Sequence, residues 1–480
     1  MPGKGEGAYN VVVIGAGTAG LVTAAGTAAL GGRVALVERH RMGGDCLNTG
    51  CVPSKALIAS ARAAQHVRDG GRWALAGQEP VFRFEEVMAR VRERRARLAP
   101  VDSQERFESL GVDVFRSAAR FVSPREVEVD GRRLRGRCFV IATGSRAALP
   151  PIEGLADAGA FTNETIFDEL RERPARLVVL GGGPIGCELG QAFRRLGVEV
   201  TILEALPRLL LKEDEEAAAA VRGQLESEGV KVLTGARVRR VSRAGALTRV
   251  ELEGGSSLDA EALLVAAGRR PNLDDLGLEA AGVAFDGKGV TVNAHLQTSQ
   301  PHIYAAGDVT GGLQFTHLAD HHARTVVRNI LVPWFKARID TRVLPWCTYT
   351  SPEVARVGLS EAEARAAGVA HDVWRQPMAE VDRAVLESEE AGFAKVLTAR
   401  GRDRILGVTL VAERAGDLVH EFALAMKAGV GLGALSATIH AYPTLAEVAR
   451  KAGDRYQRSR LTPRARALFA WLYRRSREPR

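Results

Sequence analysis

Two thiols dominate the chemistry this sequence can do. Cys46 and Cys51 have four residues between them, in a stretch from Gly43 to Lys55 that also holds Gly44, Asp45, Gly50 and Pro53. Thiols this close along a chain can close a small disulfide ring, which is strained and therefore easily reduced. Half of a zinc site and two unrelated thiols are the plainer readings. Zinc needs two further ligands, usually a second close pair. Cys138, Cys187 and Cys347 are scattered singly, so no metal site is expected. A reactive thiolate needs a positive charge or a helix amino terminus nearby. Pro53 and the segment after it are placed to start such a helix.

An internal repeat supplies the frame for these thiols. Adding 166 to Gly15, Gly17, Gly20 and Glu38 gives Gly181, Gly183, Gly186 and Glu204. Each copy reads as strand, tight turn, helix, strand. The first glycine permits the turn, the second lets backbone approach a pyrophosphate, and the third lets helix and strand pack closely. The helix then presents unpaired N–H groups to phosphates, and the closing glutamate can accept hydrogen bonds from a ribose. A turn with no ligand is the simpler reading of one copy. Two copies with matching glutamates weigh against it.

At 480 residues the chain is long enough for about three domains. Its 46% hydrophobic and 26% charged content is that of an ordinary soluble globular protein. The net charge of +9 is concentrated at one end: residues 455–480 hold nine arginines and one glutamate, leaving +1 for residues 1–454. The body therefore gives no support for nucleic-acid binding. The uncharged stretch 7–32 has the length of a signal peptide or a membrane span. Its glycine density and nucleotide pattern argue against both, and no other segment is apolar for long enough. Five cysteines do not make a secreted disulfide scaffold. A reducing cytosol would keep a catalytic pair cycling, so a cytoplasmic location is expected.

Between the repeats, residues 65–110 read as helical with a solvated charged face. Residues 112–141 read as short strands with a turn at Asp130–Gly131. Strands ending in glycine turns follow at 139–145, which includes Thr143 and Gly144, and at 303–308, which ends in Gly307 and Asp308. The segment 261–272 carries Gly268 before Arg-Arg-Pro-Asn.

The string 43–55, with these flanking motifs, resembles the flavin-dependent pyridine nucleotide–disulfide oxidoreductases, the group of lipoamide dehydrogenase, glutathione reductase and mercuric reductase. The resemblance covers Tyr9 to about Gly453. It implies an α/β glutathione-reductase-type fold, with two doubly wound Rossmann-type domains and a carboxyl-terminal α+β dimerisation domain. The implied divisions are 1–150 with 272–345 for FAD, 151–271 for NAD(P), 346–453 for dimerisation and 454–480 as a basic tail. Gly15, Gly17, Gly20, Glu38, Lys55, Thr143, Gly144, Gly307 and Asp308 would serve FAD. Gly181, Gly183, Gly186, Glu204 and Gly268 would serve the nicotinamide nucleotide. Electrons would pass from NAD(P)H through flavin to the Cys46–Cys51 disulfide. Cys51 would contact the flavin as a charge-transfer thiolate and Cys46 would exchange with substrate. Lys55 and Glu188 would pair beside the flavin. Glu204 favours NADH, because a carboxylate repels the 2′-phosphate of NADPH, though Arg208 lies nearby.

One departure from the family bears on substrate. In lipoamide dehydrogenase and glutathione reductase the residue before a Pro-Thr pair is the catalytic histidine, oriented by a glutamate five positions later. This chain has Tyr442 there and keeps Glu447. A phenol, with a reference pKa of about 10 against about 6.5 for histidine, is a poor base near neutrality. His440 is a candidate replacement, though its spacing to Glu447 does not fit. Mercuric reductase also has tyrosine at this site but delivers Hg(II) with cysteines near its carboxyl terminus, and no cysteine follows Cys347. The expected activity is electron transfer to a disulfide other than glutathione, a metal ion or a quinone, by a homodimer. The alternatives are a lipoamide dehydrogenase with its base moved to His440, and a redox sensor or docking subunit. The final stretch mixes arginine with large apolar residues, as a membrane-surface helix does. A helix packed on a partner subunit is the other reading.

Overall fold

The computed structural model describes residues 8–476, so residues 477–480 of the basic tail lie outside the described residues. The chain divides into two compact units. One holds the chain up to Ala64 with Pro80–Pro207 and Val230–Asp340; the other holds Gln65–Glu79, Arg208–Gly229 and the chain from Thr341.

The first unit is built on two parallel sheets of the same design. Val11, Val12 and Val13 are completely buried. A strand apolar on both faces is what a parallel sheet between helices requires. Tyr9–Ile14 pairs with Val34–Val37 on one side and with the second half of Arg132–Ile141 on the other. Val112–Phe115 and Ile303–Ala305 flank them. In the second sheet the order is Lys231–Thr234, Glu199–Glu204, Arg176–Leu180, Ala262–Val265. Each sheet is accompanied by an antiparallel meander, at residues 119–135 and 238–260. The Asp130–Gly131 turn in the first has φ of 50° and 70°, the positive pair a tight hairpin favours.

The repeat extends to individual bonds. Gly15 N–H donates to Val37 O and Gly181 N–H to Leu203 O, both at 2.8 Å. Gly15 and Gly181 have φ of 102° and 112°. A Cβ on Gly20 would lie 1.8 Å from Gly15 O, and one on Gly186 1.9 Å from Gly181 O. These glycines let the helices Thr18–Ala29 and Pro184–Arg195 sit against the turns that precede them.

The helical expectation for 65–110 holds in Phe84–Leu98 and Gln104–Ser109, but residues 76–83 carry no helix. The helix entering that region begins earlier, at Cys51, and runs to Arg68.

The second unit is α+β. Its antiparallel sheet runs Pro345–Thr348, Glu353–Gly358, Ile405–Ala412, Phe393–Ala399, His371–Pro377. Alternate residues Val357, Val396, Val408 and Leu410 turn to one face. There they pack with Phe422 of Ala415–Ala428 and with Val448 and Tyr456 of Glu447–Ser459.

Candidate redox active site

The thiol segment is anchored to the first glycine turn. Gly43 N–H donates to Ala16 O at 2.9 Å. Gly44, at φ 58°, passes so close that a Cβ on it would stand 2.5 Å from the Cα of Gly17. The short helix Gly44–Asn48 carries Cys46, and Cys51 opens the helix Cys51–Arg68. Cys51 is thus on the first turn of a helix, where the dipole favours an anion.

The pair stands as two free cysteines, Cys51 exposed and Cys46 half-buried. Cys51 Sγ also lies 3.7 Å from Thr316 Oγ1. The hydrogen bond from Cys46, the Lys55 charge and the Thr316 hydroxyl bring Cys51 down to about 6. The same bond, burial and the charge on Cys51 push Cys46 up. One sulfur is therefore a thiolate at neutral pH and the other a held thiol. Lys55, one turn beyond Cys51, pairs with Glu188 at 2.7 Å. Glu188 is buried on the helix Pro184–Arg195, so the pair ties the thiol helix to the second nucleotide fold.

The remaining predicted residues sit in matching cradles. Glu38 accepts from the N–H groups of Ala16 and His40, each at 2.7 Å. Glu204 repeats this on Gly182 and Leu206, also at 2.7 Å. Thr143 and Asn272 exchange hydrogen bonds of 2.8 and 2.9 Å beside Gly144. Gly268 O accepts from Ala148 N–H at 3.0 Å. Gly307 N–H donates to the Nδ1 of buried His322 at 3.2 Å. Asp308 takes a 2.7 Å bond from Ser145 Oγ; burial pushes its carboxyl up, and Ser145 and Arg269 oppose the rise.

These residues fit two dinucleotides. No side chain caps the helix behind Gly17 or Gly183, leaving first-turn N–H groups for phosphate oxygens. A Cβ on Gly183 would meet nothing within 4 Å, so there is room for a ligand against the backbone.

The expected proton-transfer residues belong to the other unit and do not form a pair. Tyr442 O–H donates to Asp382 at 3.0 Å rather than to Glu447. Glu447 is buried and bonded to Arg450 at 2.7 Å, and its second oxygen meets no hydrogen-bonding partner among the described residues. His440 is committed elsewhere, with Nε2 2.9 Å from Glu421 and Nδ1 3.0 Å from Thr438 O. Arg208 gives its guanidinium to carbonyls of Leu210, Leu211 and Glu213.

Four contributors escape a reading of the sequence: Thr316, Arg269, Asp45 and His322. Asp45 directly precedes Cys46, and Arg269 directly follows Gly268. Adjacency to a motif was the signal available for both. Thr316 and His322 carry none, since their helix reaches the site only through the fold.

A family model described as pyridine nucleotide-disulphide oxidoreductase matches residues 9–323. One described as the dimerisation domain of that family matches residues 344–452. The chain belongs to this family, whose members are enzymes that bind FAD and use NAD(P)H. The dimerisation domain supports a homodimer. Among its relatives is a mercuric reductase of Staphylococcus aureus, 34% identical over 455 residues, 92% of this chain and 81% of that one. A dihydrolipoyl dehydrogenase of Thermus scotoductus is 37% identical over 458 residues, 93% and 97% of the two chains. In structure, the chain is similar to the Cu(II) complex of the HOCl-induced flavoprotein disulfide reductase RclA from Escherichia coli. The TM-score is 0.84 at 30% identity, covering 93% of this chain and 99% of that one. No helix among the described residues is long and apolar enough to cross a membrane.

Proposed function

We propose that this enzyme oxidises NADH and passes the electron pair through Cys46 and Cys51 to a soft, thiol-seeking metal ion such as Cu(II) or Hg(II). A small disulfide or a quinone is the next class of acceptor. The observation that carries this reading is the Lys55–Glu188 pair, one turn from a Cys51 whose thiol is brought down to about 6. FAD held by the residues named below would supply the two-electron chemistry that links NADH to the cysteine pair.

In the assignment we favour, residues 1–150 and 272–345 hold FAD, 151–271 hold NADH and 346–453 join two copies. Gly15, Gly17, Gly20 and Glu38 cradle the FAD adenosine diphosphate, with Thr143, Gly144, Gly307 and Asp308 further along the cofactor. Gly181, Gly183, Gly186, Glu204 and Gly268 do this for NADH. The carboxylate of Glu204 repels a 2′-phosphate. Lys55 holds positive charge beside Cys51, and Glu188 fixes the lysine's position. Reoxidation of the thiolate–thiol pair to the disulfide releases two electrons and one proton. That is enough for one Hg(II) to reach Hg(0), or for two Cu(II) to reach Cu(I).

The metal reading is supported by the relatives and by the want of a base at Tyr442. A lipoamide dehydrogenase using His440 is disfavoured, because both ring nitrogens of His440 are engaged. The test is to mix the purified holoenzyme with NADH and follow its oxidation with Cu(II), Hg(II), lipoamide, glutathione disulfide or a quinone. The expected order places the metal ions first. A lipoamide rate above all others would overturn it. Failure of NADH to bleach the flavin would overturn the redox role itself.

A further inference from the structure

The helix Pro463–Arg475 buries no residue. In the same unit, Glu447–Ser459 buries Val448, Ala449, Ala452 and Tyr456. The difference does not come from polarity. Leu468, Phe469, Trp471, Leu472 and Tyr473 are exposed by 54, 47, 47, 47 and 73%. An exposed apolar cluster of this kind marks an interaction surface. At about 100° per residue, Leu468, Leu472, Phe469 and Tyr473 fall on one arc of the helix. Arg464 and Arg475 border that arc on one side and Arg466 on the other. The Arg475 guanidinium stacks on the Trp471 ring at 4.8 Å. No acidic residue occurs from 455 to 476.

We propose that this helix docks the enzyme on an anionic lipid bilayer, lying in the plane of the interface. Charge complementarity decides the occupant. An aromatic and leucine arc edged by arginines suits the boundary between acyl chains and anionic headgroups. Trp471 and Tyr473 are the side chains favoured at that depth. A two-fold contact of this helix with its own copy would set the same arginines against each other. The inference does not depend on the choice of electron acceptor.

The full-length holoenzyme is to be co-sedimented with phosphatidylcholine vesicles, with and without phosphatidylglycerol. The anionic vesicles should bind it at least about tenfold more tightly, and added salt should weaken the binding. Combined Phe469→Ser, Trp471→Ser and Leu472→Ser substitutions should abolish vesicle binding while the protein remains a dimer. NADH-driven bleaching of the flavin should continue unchanged. Equal binding to both vesicles, or to neither, would overturn the proposal. So would conversion of the triple variant to monomer, which would assign the helix to a second copy of the chain.

Discussion

The Arg269 guanidinium lies 3.1 Å from the Asp45 carboxylate, so the residue preceding Cys46 is clasped by the end of the second nucleotide fold. Arg269 also donates to Ser145 Oγ and O, at 2.9 and 3.0 Å, and Ser145 Oγ donates onward to Asp308. One guanidinium thus stands between two carboxylates, with Asp308 at 3.9 Å, and orders three segments. Replacing it leaves both acids without that counter-charge. Because Asp45 is 35% exposed, the cost is screened; Arg269→Met should destabilise by about 2 kcal/mol. Arg269→Lys restores the charge but not the fork, and should recover part of the loss. Urea unfolding of the three proteins measures this, and identical midpoints would refute the clasp.

The Cys51 thiolate makes a pH prediction. The proton leaves the pair near pH 6, so the reduced enzyme should react with iodoacetamide at a rate that rises through about 6 and then levels. The inflection belongs to the coupled pair. Lys55→Met removes a cation that favours the thiolate and should move the inflection up by about one unit. Thr316→Val removes a hydrogen bond and should move it the same way, by less. An inflection near the ordinary thiol value in the unmodified enzyme would remove the basis for a thiolate at neutral pH.

The sequence made the glycine turns, the closing glutamates and the thiol segment legible because each is local. Spacing alone specifies a strand–turn–helix, and Gly15 and Gly181 adopt the same φ region because the same geometry is demanded twice. The Lys55–Glu188 pair came from resemblance, since 133 residues separate its members. Contacts made only by folding, such as Thr316 with Cys51 across 265 residues, have no local pattern to read. The partners of Tyr442 and Glu447 are likewise not legible in the sequence. Asp382, 60 residues away, takes the phenol, and Arg450, one helical turn on, takes the carboxylate.

Tyr442 also yields a prediction about substrate. Its hydroxyl, donated to Asp382, is held above the usual phenol range by that bond. It is then an even weaker base than a free phenol. Tyr442→His should raise dihydrolipoamide oxidation by roughly a hundredfold, the lower end of the range for a placed general base. His440→Ala should change it little, because His440 is bonded to Glu421 and Thr438. Steady-state rates with lipoamide and dihydrolipoamide decide the matter. Loss of most activity in His440→Ala would make His440 the base.

His322 gives the enzyme an acid-sensitive core. Burial holds its imidazole down to about 4, against 6.5 for a free side chain, while Nδ1 accepts the Gly307 N–H. Above pH 6.5 the ring is neutral in the folded and unfolded chain alike, and no difference arises. As pH falls, the unfolded chain binds the proton first, and stability is lost until the folded form also binds it near 4. The full loss is on the order of 3 kcal/mol. His322→Asn keeps an acceptor for Gly307 without a titrating ring. Urea unfolding of both proteins between pH 7 and pH 4 should show the variant losing less stability. The raised carboxyl of Asp308 acts in the opposite sense, but it is common to both and drops out of the difference. Parallel pH profiles would mean that His322 is protonated in the fold, and the Gly307 N–H would then have lost its acceptor.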